Sequence, residues 1–172
     1  FPTRRSSDLT AAAAGCNAAA PDAGDRLRDG FPKYAAGVLE RGSALTRTDR
    51  GFQAIETTPS AAARTSASRV QSKGSVALPL RGKDPIVLSP RDAAEIQIHE
   101  VGLAGHGKIV DRAVAYPIPG GTSYWTATSA GAEEWLLFEP GAVQPGRAAA
   151  IWEVAGATPV QRGNTVALYT EQ

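Results

Sequence analysis

Apolar and polar residues alternate with a period of two over much of the chain, the spacing that gives a β-strand one inward and one outward face. The cleanest case is Glu95-Ile96-Gln97-Ile98-His99, where Ile96 and Ile98 turn inward and Glu95, Gln97 and His99 turn to water. Val76, Leu78 and Leu80 share one side of a second such run, which ends near Arg81-Gly82-Lys83-Asp84-Pro85. Ile86-Val87-Leu88 is a short apolar run closed by Ser89-Pro90. Upstream, Ala44 to Thr57 reads as a pair of short strands about the turn Asp49-Arg50-Gly51. Downstream, strand patterns cover Ile109 to Tyr116, Ser123 to Thr128, Glu134 to Phe138, Ala148 to Val154 and Thr165 to Tyr169, with Gly- and Pro-rich turns between them.

Strands that recur at short intervals between such turns predict an all-β domain, an antiparallel β-sandwich or a partly open barrel. Phe31 to Glu40 fits either a short helix or an entering strand, and Pro59 to Ser72 is a Ser/Ala/Arg loop without a strong period. Residues 10–30 are mostly Ala, Gly, Asp and Pro with little to bury, which predicts a disordered leader or tether. The expected division is therefore a tether over 10–30 and a β-sandwich-like domain over 31–172.

Charge adds little. With 18 basic and 17 acidic residues the net charge is +1, and no clustered Lys/Arg footprint of the kind that grips nucleic acid is visible. No run approaches the length of about 18 apolar residues that a membrane-spanning helix needs. The chain contains no Met, so a lost N-terminus is expected, and a strand pattern two residues from Gln172 suggests an N-terminal piece of a longer protein. Phe1-Pro2-Thr3-Arg4-Arg5-Ser6-Ser7-Asp8-Leu9 resembles the translated end of a common DNA-sequencing adapter. Residues 1–9 are accordingly set aside from fold reasoning.

The single cysteine, Cys16, excludes an intramolecular disulfide and a Cys-based zinc cage. Its setting, Ala13-Ala14-Gly15-Cys16 followed by an Ala/Pro/Asp/Gly-rich stretch, resembles the end of a bacterial lipoprotein signal peptide. That resemblance implies lipidation at Cys16 and contact with a membrane through the lipid alone. Ala13 stands where such signals usually carry Leu, and a poly-Ala linker with an incidental Cys is the competing reading.

Candidate chemistry is sparse. His99 and His106 would meet if the Gly-rich stretch Gly102 to Gly107 folds back, with Glu95, Glu100 or Asp111 completing a cation site, but their spacing matches no ligand motif. No G-x-S-x-G elbow and no phosphate-binding loop occurs. Glu133 and Glu134 are adjacent, so on a strand they point to opposite faces and cannot flank one glycosidic bond. No cofactor or metal is expected. The tryptophans and tyrosines remain: at least one of the neighbours Tyr124 and Trp125 must face outward if the strand is regular, and with Trp135 they form the candidate binding surface.

Ala115-Tyr116-Pro117, then Trp125-Thr126-Ala127-Thr128-Ser129-Ala130-Gly131-Ala132-Glu133-Glu134-Trp135-Leu136-Leu137-Phe138, resembles a β-rich N-terminal region of large secreted bacterial surface proteins, some with RHS/YD-type or FG-GAP-type repeats downstream. These are packing and turn motifs. The resemblance implies a non-catalytic structural or adhesive module, extracellular or on the outer envelope, whose partners are other domains of the same polypeptide, or a glycan or surface protein. A carbohydrate-binding module using exposed aromatics is the alternative, and a metal-dependent hydrolase a remote one.

Overall fold

The computed structural model describes residues 21–55, 74–128 and 131–170. The readings of residues 1–9, of Cys16 and of the loop Pro59 to Ser72 lie outside the described residues. Helix α1 spans Ala23–Gly30, and α2 spans Pro32–Leu39. Asp22 caps α1 by accepting the Gly24 N–H at 2.9 Å, and Pro32 opens α2 where its missing N–H costs nothing. The strands are β1 (Leu45–Arg47), β2 (Gly51–Ala54), β3 (Gly74–Pro79), β4 (Ile86–Pro90), β5 (Ile96–Glu100) and β6 (Lys108–Val110). They continue with β7 (Ala113–Ile118), β8 (Gly121–Thr128), β9 (Gly131–Phe138), β10 (Trp152–Ala155), β11 (Thr158–Arg162) and β12 (Thr165–Tyr169).

The fold is all-β and antiparallel, built from open sheets with free margins and not from a closed barrel. One sheet has the order β1-β2-β3-β4-β5-β10, a second the order β6-β7-β8-β9, and β11-β12 is a separate hairpin. The two sheets pack face to face. Phe52, Val76, Leu78 and Ile86 from the first meet Val114, Tyr116, Trp125 and Ala127 from the second, with Leu103 among them. Gly107 sits in this layer so tightly that a Cβ would lie 2.7–2.8 Å from Tyr116, Phe52 and Val114.

The outer face of the second sheet is covered as well. Leu27 of α1 and Val38 and Leu39 of α2 pack on Val110, Ala113, Ala115 and Tyr124. Small Ala113 and Ala115 on that face let the helices approach, while Val114 and Tyr116 point to the other sheet. The molecule thus has three layers, helices, four-stranded sheet and six-stranded sheet. A tyrosine ties each face of the middle layer to its neighbour: the Tyr116 hydroxyl donates to the Pro79 carbonyl, and the Tyr124 hydroxyl to the Ala23 carbonyl, both at 2.7 Å.

Two expectations are corrected. Residues 23–30 are not part of a disordered tether but helix α1, because Gly24 and Leu27 are buried against the sheet. Arg26 and Arg28, on the polar side, pair with Glu139 and Asp111. The run Ile109 to Tyr116 is not one strand: Asp111, with φ of 51°, and Arg112 turn it into the hairpin β6–β7. Asp tolerates this left-handed conformation better than most residues. Of Phe31 to Glu40, Pro32–Leu39 is helix, with Phe31 and Glu40 as its caps.

Candidate functional site

Tyr124 and Trp125 lie back to back on β8, at 0 % and 5 % exposure, and neither faces solvent. The expectation that one of them must face outward fails because β8 is covered on both sides, by the helices and by the six-stranded sheet. Trp125 belongs to the inter-sheet core, while Tyr124 belongs to the layer under the helices. Trp135 on β9 is the cross-strand partner of Tyr124 and lies on the same face. The structure therefore joins Tyr124 and Trp135 and separates both from Trp125.

The surface they share is a cleft of about 330 Å³ between the helices and β9. Leu27, Phe31, Tyr34 and Val38 form its helical wall, and Tyr124, Trp135, Leu137 and neighbouring β9 residues form the other. Phe31 and Tyr34 stand at its rim, 42 % and 58 % exposed. The Arg41 guanidinium lies 5.9 Å from the centre of the Trp135 ring, within cation–π range, and 3.7 Å from Glu133. The Trp135 indole N–H is buried and has no hydrogen-bond partner among the described residues. Burial raises the Tyr124 phenol above its ordinary value, so it stays a neutral donor to Ala23. Sequence reasoning missed Phe31 and Tyr34, although both sit in a segment that reads as a short helix or an entering strand.

A second cluster lies between the sheets at the margin formed by β9 and β10. Glu100 ends β5 and continues the inward register of Ile96 and Ile98, so its carboxylate is buried at 3 % exposure. Glu134 on β9 pairs across the ladder with Trp125 and turns inward with it. Ser123 Oγ lies 2.9 Å from Glu100 Oε2 and 2.9 Å from Glu134 Oε1. The Trp125 indole donates to Glu100 Oε2 at 3.3 Å, and the Trp152 indole to Glu134 Oε2 at 2.8 Å. Burial, then hydrogen bonding to Glu100 and its charge, push Glu134 up to about 8, while Ser123 and Trp152 oppose the rise. The inward period-two register of Glu100 was the available signal; its meeting with Glu134 depends on how the sheets are laid on each other.

Glu133 and Glu134 do point to opposite faces, Glu133 toward Arg41 and Glu134 toward Ser123. The histidines have separate surroundings. His99 Nδ1 lies 3.5 Å from Glu153, and His106 forms an isolated bridge with Arg81. Among the described residues no three His, Cys, Asp or Glu side chains come together as metal ligands, and no helix is long and apolar enough to cross a membrane. Compared with protein-family models, curated proteins and solved structures, the chain matches none.

Proposed function

We propose that the chain is a non-catalytic structural or adhesive β-module of a secreted or lipid-anchored bacterial envelope protein, and that it makes its contacts through the cleft between the helices and β9. The observation that carries this reading is the exposed pair Phe31 and Tyr34 standing over an apolar wall that contains Trp135. Exposed aromatics grouped over a pre-formed apolar cleft are the usual anchors of a protein contact. The fitting partner is an apolar side chain of another domain or surface protein, seated against the Trp135 ring between Phe31 and Tyr34. A glycan fits less well, since its many hydroxyls require several convergent polar groups, and this lining is almost wholly apolar.

Selection of displayed random peptides on the full chain tests the reading. Peptides with aromatic or branched apolar anchors should be enriched, and their binding should fall at least about tenfold with Phe31→Ala and Tyr34→Ala together. Enrichment that is indifferent to both substitutions would refute the cleft as the contact surface. Binding to arrayed glycans that disappears with the same substitutions would favour the carbohydrate reading instead.

A further inference from the structure

We infer that Glu100 and Glu134 hold a single proton between them through Ser123, and that this proton is a latch closing the β9–β10 margin of the sandwich. A serine hydroxyl has one hydrogen and two lone pairs, so Ser123 can donate to only one of the two carboxyl oxygens that lie 2.9 Å from it. The other contact is attractive only if that carboxyl carries a proton and donates to Oγ. The remaining bonds assign the proton. Glu100 Oε2 already receives the Trp125 N–H, and Glu134 Oε2 receives the Trp152 N–H, which leaves Glu134 Oε1 to carry it. The chain then runs from Glu134 Oε1–H to Ser123 Oγ, and from Ser123 Oγ–H to Glu100 Oε2, with every donor used once.

Among the described residues, the surrounding elements show no cation paired with either carboxyl. On β5, His99 points away from Glu100 and pairs with Glu153 of β10, and Glu95 accepts from Gln97. On β9, Glu133 turns to the helix side and Arg41. On β8, Tyr124 points to the helices. The charge that acts on Glu134 is that of Glu100, a like charge. Loss of the proton therefore sets two carboxylates against each other across the sheet interface, where they repel more strongly than in water. Glu100 belongs to β5, Glu134 to the free margin of the other sheet, and Trp152 to β10, the strand that leads into the hairpin β11–β12. Trp152 is already 44 % exposed, so the margin is a place where opening needs little desolvated surface to be uncovered. Alkaline solution would thus part β9 from the β5–β10 edge that faces it and open the margin over β10 and its hairpin, and neutral solution would close it.

Fluorine NMR of the full chain labelled with 5-fluorotryptophan reads each indole separately. The Trp152 and Trp125 signals should titrate together near pH 8, the value to which Glu134 is raised, while Trp135, on the opposite face of β9, stays still. Hydrogen exchange over β10 to β12 should accelerate at least about tenfold beyond its intrinsic pH dependence across the same step. Glu134→Gln replaces the proton with an amide N–H that can still donate to Ser123, and should abolish both changes while keeping the closed signals. Glu100→Gln removes the like charge, and should move the midpoint at least about one unit toward acid; it also serves if Glu134→Gln does not fold. A Trp152 signal that does not titrate between about pH 6 and 10, a titration that persists in Glu134→Gln, or a midpoint unmoved in Glu100→Gln would overturn the latch.

Discussion

The Tyr116 hydroxyl crosses from the four-stranded to the six-stranded sheet and donates a 2.7 Å hydrogen bond to the carbonyl of Pro79. Tyr116 is fully buried, and burial raises its phenol well above the ordinary value, so the hydroxyl remains a donor at every pH the fold tolerates. Pro79 ends β3, and its carbonyl accepts this bond inside the core. Tyr116→Phe keeps the ring and leaves that carbonyl without its partner. The expected cost is about 1–2 kcal/mol, read as a lower urea midpoint at unchanged m.

Helix α1 belongs to the folded body, and Leu27 is the residue that proves it. Leu27 is 4 % exposed and packs with Val110, Ala115 and Tyr124. Leu27→Ala should cost about 2–4 kcal/mol in equilibrium unfolding. A residue in a tether would change stability by no more than a few tenths of that.

Gly107 marks how closely the sheets approach. A methyl group there would press on Tyr116, Phe52 and Val114 together, at 2.7–2.8 Å. Three core side chains cannot all move aside, so Gly107→Ala should destabilise by about 1–3 kcal/mol through overpacking. Thermal unfolding would show it as a lower Tm with the secondary structure intact.

The parts of this fold that were legible in the sequence are those with one wet face. In β5, Gln97 is exposed and Ile96 buried, as alternation requires, and β2 shows the same with Phe52 and Gln53. The pattern misleads on β8, where Thr122 to Ala127 are all buried. Period two assigns alternating faces correctly there, but it cannot say that a helical layer dries the second one. Helix α1 was hidden for a related reason: over its short length, Leu27 is the only large apolar side chain it buries. Tyr124 and Trp135 were chosen for their aromatic surface, and they do share a face; Trp125 was lost to the core. Alternation sets Glu134 opposite to Glu133 but not beside Glu100, because that partner comes from the other sheet and no local spacing records the meeting.

Stability should fall as pH rises between the two values of Glu134. In the unfolded chain this group titrates at its ordinary 4.5, and in the fold at about 8. Between them the folded state binds a proton that the unfolded state does not, so stability declines with pH through this window. Its contribution is complete below 4.5 and levels off above about 8. The ceiling is about 1.4 kcal/mol per unit, but Glu134 is only half-buried, and solvent screening reduces the whole effect to about 1–2 kcal/mol. Urea unfolding at several pH values should show this slope in the native chain, and a flatter profile in Glu134→Gln.

Phe31 and Tyr34 should separate contact from stability. Both rings are partly open to water, at 42 % and 58 % exposure, so each buries far less apolar surface than a core side chain. Val38, one turn beyond Tyr34 on α2, is 1 % exposed and carries the packing of that helix instead. Phe31→Ala and Tyr34→Ala should each alter unfolding free energy by no more than about 0.5 kcal/mol, whereas Val38→Ala should cost about 1–3 kcal/mol. A rim that contributes little to folding is free to serve a contact. If Tyr34→Ala proved as costly as Val38→Ala, the rim would be part of the core and the cleft would lose its claim as a contact surface.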